Sequence, residues 1–138
     1  MIADTATSIT FNFTLNNYGH VYGIAVKRIE NASTSIPSSY QIWRGFDSVN
    51  AEAVNATVEV LQPNIGYELT FNLLKASTTY DIYITAGNNH PIYPDLLGGG
   101  ATVSIEASTR DSNVGDGEAR ATIYGICVTV ILIIAVCL

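Results

Sequence analysis

The amino-acid sequence predicts an all-β sandwich. Six short segments alternate apolar and polar side chains with a period of two, and clusters of Asn, Gly, Pro and Ser separate them. No internal repeat or heptad competes with that pattern. About 110 residues precede a long apolar run, enough for one independent fold.

Ser8 to Leu15 opens the series, with Ile9, Phe11, Phe13 and Leu15 on one face and Thr10, Asn12 and Thr14 on the other. Asn16-Asn17-Tyr18-Gly19 is turn chemistry, since Asn and Gly tolerate the backbone angles a reversal needs. Val21 to Arg28 is the second strand, with Tyr22, Ile24 and Val26 sharing a face. After Pro37, Ser38 and Gln41 stand at the separation of a capping box. Gly45 is placed to end the short helix they start. Thr57 to Leu61 follows with Val58 and Val60 inward, and Pro63-Asn64 breaks it. Gly66 to Leu73 sets Tyr67, Leu69, Phe71 and Leu73 against Glu68, Thr70 and Asn72. Tyr80 to Ala86 sets Tyr80, Ile82 and Ile84 against Asp81, Tyr83 and Thr85. Ala101 to Ser108 turns Val103, Ile105 and Ala107 inward. Trp43 is expected to pack on the sandwich.

Three parts are expected along the chain: a sandwich over 1–109, a flexible polar linker over 110–120, and an apolar helical segment over 121–138. The last has no charged side chain and is close to the ~20 residues that span a bilayer core. Small and polar residues precede it, among them Ser112, Asn113 and Gly115. That order resembles a signal for a glycosylphosphatidylinositol anchor, with Asn113 the first choice for attachment and Ser112 the next. An uncleaved single-pass helix is the alternative. A tail-anchored domain in the cytosol is a third arrangement, to which Arg120 lends the positive-inside tendency.

Both cysteines, Cys127 and Cys137, fall in the apolar segment, about 15 Å apart along a helix and too far to bridge. The sandwich therefore holds together by packing alone. Three acceptor sequons, at Asn12, Asn31 and Asn55, point to the cell surface and an extracellular, glycosylated domain. Met1 to Thr7 contains no hydrophobic leader, so the sequence reads as the C-terminal piece of a longer protein. The net charge of −6, with the lysines and arginines scattered along the sequence, argues against nucleic acid and against docking on an anionic membrane.

Leu74-Lys75-Ala76-Ser77-Thr78-Thr79-Tyr80 resembles the tyrosine corner of fibronectin type III domains. Leu74, Thr78 and Tyr80 match, and Ala76 stands where proline is usual. In that motif the Tyr hydroxyl bonds to backbone a few residues upstream. The pattern Tyr22 to Val26, Pro37 to Ile42 and Gly45 is similar to a branch of this fold in repetitive surface proteins, where a short helix replaces a strand connection. The Asn- and Tyr-rich style is similar to repeated modules of ciliate surface proteins. The resemblance covers residues 8–109, and only the corner is specific. It implies a first strand for which little sequence precedes Ser8, since Asp4 to Thr7 reads as connection. That strand is expected to be missing or vestigial, through loss upstream, tolerance, or donation by a partner.

In the fibronectin-like topology Tyr18 and His20 share an end with Asn88, Asn89, His90, Tyr93 and Asp95. Rings and amides on adjacent loops suit a glycan or protein ligand, while turn geometry alone also accounts for Asn, Gly and Pro there. His20, His90 and Asp95 have metal-ligand chemistry without metal-ligand spacing, and Asp95 lacks a regular calcium loop. Outside the apolar segment there is no cysteine. There is also no Gly-x-Ser-x-Gly, no phosphate loop and no close carboxylate pair; Gly98-Gly99-Gly100 lacks the lysine of a phosphate cradle. No catalytic residue, cofactor or metal is assigned. The expectation is a non-catalytic, membrane-held surface module for adhesion, coat structure or ligand display. The alternative is a fibre or coat subunit that assembles by strand addition, with upstream repeats or a strand-donating partner.

Overall fold

The computed structural model describes residues 2–4, 7–32, 35–87 and 103–110. Seven strands and one helix follow in chain order: β1 (Ile2–Asp4), β2 (Ile9–Thr14), β3 (Gly19–Lys27), α1 (Ser39–Arg44), β4 (Val54–Val60), β5 (Gly66–Phe71), β6 (Thr79–Gly87) and β7 (Val103–Ser108). They form an all-β sandwich of two antiparallel sheets, one ordered β1-β2-β5 and the other β4-β3-β6-β7.

The alternation read in β2 is the packing observed: Ile9, Phe11, Phe13 and Leu15 are all buried. They meet Leu69 and Phe71 of β5, and from the other sheet Val21, Ala25, Val60, Tyr80, Ile82, Ile84, Ala86 and Ala107. Gly23 sits in the middle of β3, directly against the side chains of β5. A Cβ there would lie 2.6 Å from Phe71 Cζ and 2.9 Å from Leu69 Cδ2. Only a residue without a side chain lets β3 cross the β5 aromatics at this spacing.

The four-stranded sheet is buried on both sides in its middle. Tyr22, Ile24 and Val26 do share a face, and it is the outer one. Ile24 and Tyr83 pack there against Ile42 of α1, with Tyr22, Val26 and Ala53 around them. The helix is placed by its ends. The Ser38 side chain accepts from the Gln41 amide, the Gln41 side chain accepts from the Ser38 amide, and Gly45 closes the helix in the left-handed region. Ile42 is the buried anchor. Trp43 is half-buried, edge-on to Tyr40 at 5.6 Å, with the Arg44 guanidinium 6.0 Å from its ring.

Three expectations change. Asp4 is strand and not connection: β1 pairs with β2 through Ile2↔Phe11, Ala3↔Thr10 and Asp4↔Ile9, a first strand of three residues. β4 begins at Val54, three residues before the expected Thr57, because its backbone pairs with β3 from Ala25↔Val54 onward. β5 stops at Phe71, and Leu73 is not inward. It has a φ of 61° and is 91% exposed, while Leu74 turns into the core and its amide donates to Thr7 O at 2.9 Å.

The segment from Leu74 to Tyr80 makes the expected corner bond. The Lys75 amide donates to Tyr80 Oη at 2.9 Å. Thr109 Oγ1 donates to Lys75 O at 2.6 Å and accepts from the Thr78 amide at 3.0 Å. Thr78 Oγ1 donates to Ala76 O at 2.8 Å, holding the turn where the proline is absent. Across the outer face, Arg28 bridges the buried Asp81 at 2.7 Å and also bonds Glu106 on β7.

Candidate functional site

Strand directions sort the connections onto two poles. At one, β2 ends and β3 begins, β4 ends and β5 begins, and β6 ends at Gly87. His20 lies directly opposite Gly87 in the ladder, one residue before Asn88. The β2–β3 turn and the start of the 88–102 connection therefore leave the same end of the sheet. Of the predicted loop cluster, Tyr18 and His20 are at this pole; Asn88, Asn89, His90, Tyr93 and Asp95 lie outside the described residues, as does Gly98-Gly99-Gly100.

Tyr18 is 59% exposed, its amide turned back on the Asn17 side chain at 2.8 Å. His20 stacks on Tyr22 with ring centroids 5.9 Å apart and an interplanar angle of 17°. Burial holds the Tyr22 phenol above its ordinary pKa. His20 Nδ1 and Thr85 Oγ1 are buried without a hydrogen-bond partner. The two residues belong to adjacent strands of one face, and Thr85 stands opposite Tyr22 in the ladder.

The β4–β5 turn completes the pole with residues the sequence reading did not single out. Leu61 is 64% exposed and Ile65 is also exposed, on a turn that is nonetheless rigid. Tyr67 Oη accepts from the Leu61 amide at 3.1 Å and the Gln62 amide at 2.9 Å, and donates to Gln62 O. The Tyr67 ring stacks on Phe13 at 5.9 Å, and the Asn64 amide donates to Leu15 O at 2.7 Å. The available signal was two apolar residues flanking Pro63-Asn64, where a turn needs none.

Among the described residues no group of three His, Cys, Asp or Glu side chains could hold a metal ion. The described residues at this pole present one exposed ring, Tyr18, two exposed aliphatic chains, Leu61 and Ile65, and the His20 imidazole at the start of β3.

The sequons are surface positions. Asn12, Asn31 and Asn55 are all exposed, Asn12 and Asn55 on outward faces of β2 and β4 and Asn31 in a turn with φ 62°. The expected attachment residues Asn113 and Ser112, and the segments 111–120 and 121–138, lie outside the described residues. No helix among the described residues is long and apolar enough to cross a membrane.

At the opposite pole β3, β5 and β7 end. The Ser77 amide donates to Arg110 O at 2.9 Å, tying the corner loop to the last described residue of the chain. Lys27 and Arg28, Lys75 and Arg110, from three separate stretches of the sequence, all belong to this end. Comparison with known proteins finds no matching family model, no matching curated protein and no matching solved structure.

Proposed function

We propose that this chain is a fibronectin type III-like surface module, held at a membrane through its C-terminal segment and acting by contact in adhesion, coat structure or ligand display. The observation that carries the reading is polarity. Tyr18, His20, Leu61 and Ile65 stand at one end of the sandwich, and the chain departs toward the apolar run 121–138 from the other. A domain held by its C-terminus would then turn its braced turns away from the bilayer. The strand order, the Tyr80 corner bond and the three exposed sequons support the fibronectin-like and extracellular parts of the reading. A protein or glycan would be the ligand, with Tyr18 and Leu61 as its apolar contacts. Nothing in this reading uses a cofactor or a catalytic group.

The test is expression of the full chain behind a supplied signal peptide in a eukaryotic cell. Phosphatidylinositol-specific phospholipase C should release a glycosidase-sensitive product shortened by about 25 residues if Asn113 carries the lipid. Glycosylated protein that stays with Leu138 attached would assign a spanning helix instead. An unglycosylated, cytosol-facing domain would refute the surface reading.

The strand-accepting alternative also has an observation behind it. β5 pairs with all six residues of β2, whereas β1 covers only Ile9, Thr10 and Phe11. Among the described residues nothing pairs with Asn12, Phe13 and Thr14 on that side, the kind of edge a donated strand extends. Concentration-dependent oligomers that a strand peptide dissolves would favour this assembly.

A further inference from the structure

We propose that the pole from which the chain leaves is a membrane-apposed face, with Leu73 and Lys75 on the corner loop resting in the headgroup region of the bilayer that holds the domain. The inference rests on the membrane-attached reading above and adds the face and the residues.

Leu73 is the misfit that points here. Among the described residues five non-glycine residues have positive φ, and three of them are Asn, the type that tolerates this region best. Leu73 is one of the other two, and it is 91% exposed. Neither burial nor backbone preference accounts for a leucine at that position. The loop that carries it is not slack. Leu74 on one side is buried in the core, and on the other the Lys75 amide and carbonyl are bonded to Tyr80 and Thr109. An apolar side chain and an ammonium two residues apart are thus held outward on a rigid loop, the pairing that favours the lipid interface.

The route of the chain names the occupant. The Ser77 amide bonds to Arg110 O, so this loop adjoins the point of departure, and ten residues, 111–120, separate Arg110 from the apolar run. Ten residues reach at most ~35 Å, while the nine-residue strand β3 alone is ~30 Å long. Bringing the Tyr18 pole to the bilayer would require a nearly taut linker running back along the domain. The Leu73 pole reaches it with any linker shape. Lys27 and Arg110 add positive charge at the same end, while Arg28 with Asp81 and Glu106 leaves one negative charge and Glu30 adds another, so Lys75 contributes as a local ammonium beside Leu73 and the pole as a whole is close to neutral. Ile29 is also exposed at this end, but Asn31 beside it is a glycan acceptor, so the contact centres on Leu73.

Full-length chain reconstituted in phosphatidylcholine–phosphatidylserine vesicles tests this. Trp43 is the single tryptophan, so Trp43→Phe gives a dark background for Leu73→Trp, for Lys75→Trp as a second reporter, and for Tyr18→Trp at the far pole. With bromine on the upper acyl carbons, the indoles at 73 and 75 should lose about half their emission or more at headgroup-boundary depth. The indole at 18 should lose none. Chain that floats with the vesicles while positions 73 and 75 stay unquenched overturns the apposed face and leaves membrane attachment standing. Quenching strongest at position 18 overturns it likewise. Chain that does not float removes the attachment reading and this proposal with it.

Discussion

Replacing Gly23 by alanine tests whether the spacing of the two sheets is set where β3 crosses β5. The added methyl would meet Phe71 Cζ at 2.6 Å and Leu69 Cδ2 at 2.9 Å, against the 3.5–4.0 Å at which carbons rest. Relief requires a local shift of about 1 Å. Phe71 cannot swing aside, because it is fully buried and its ring stands edge-on to Phe11 at 6.1 Å. Overpacking of this kind costs about 1–3 kcal/mol, and alanine recovers ~0.5–1 kcal/mol of the backbone entropy that glycine loses. The expected balance is a loss of about 1–2 kcal/mol, or a fall in Tm of roughly 5–15 °C for a domain of this size. Urea unfolding of the full chain in non-ionic micelles, followed by Trp43 fluorescence, would measure it. Shortening the obstacle with Phe71→Leu should make the Gly23→Ala step cheaper, with a coupling of about 1 kcal/mol between the two sites. A Gly23→Ala chain as stable as its parent, or a cost unchanged beside Phe71→Leu, would refute the reasoning.

Tyr80→Phe removes the hydroxyl that accepts from the Lys75 amide, and should cost about 1 kcal/mol in the same assay with faster hydrogen exchange at Lys75. Arg28→Ala strands the buried Asp81 carboxylate and should lower the urea midpoint, with Asp81→Asn in that background restoring part of the loss. Hydrogen bonding to Asp81 raises the pKa of Arg28 from an already high value, so its contribution should be constant across the working pH range. Tyr22 behaves differently. Its phenol is raised by burial, so above pH ~10 the unfolded chain gives up a proton that the native state keeps, and stability should fall with rising pH. Urea midpoints compared at about pH 9 and about pH 11 should show a smaller drop for Tyr22→Phe.

The sequence made the strands legible wherever one face was wet. In β2 the alternation of Ile9, Phe11 and Phe13 with Thr10 and Asn12 maps directly onto buried and exposed. The helix was legible through chemistry local to it, Ser38 with Gln41 and the terminal Gly45. What could not be read was the partner of a face. Tyr22, Ile24 and Val26 look like a core stripe, and only the docking of Ile42 makes them the second core outside the sheet. Leu73 continued the β5 alternation by type and failed it by backbone, since a single positive φ hands the inward position to Leu74. The residues of the loop pole divide the same way. Tyr18 was visible as a turn residue and His20 as its neighbour in the loop cluster, but Leu61 and Ile65 become surface only because Tyr67 fixes the turn that carries them.

That division has a consequence for where this fold can vary. The features that hold the sandwich are Gly23 against Phe71, Tyr80 on Lys75, Arg28 across Asp81, and α1 on its caps. None is at the Tyr18 pole. There Tyr67, bonding backbone and no side chain at Leu61 and Gln62, and the Asn64 amide on Leu15 O tie the β4–β5 turn to the core. Among the described residues β6 runs past its last partner in β7, Val103 opposite Ile84, yet Ala86 and Gly87 stay paired with Val21 and His20. The 88–102 connection therefore starts from a strand secured by β3 whatever its own sequence is. The exposed side chains of the β2–β3 and β4–β5 turns can be exchanged at small cost in stability, as the contact surface proposed above would require. The corner loop at the other pole has no such freedom in its backbone, and Leu73 is the large apolar side chain there that the fold leaves exposed to answer to something outside it.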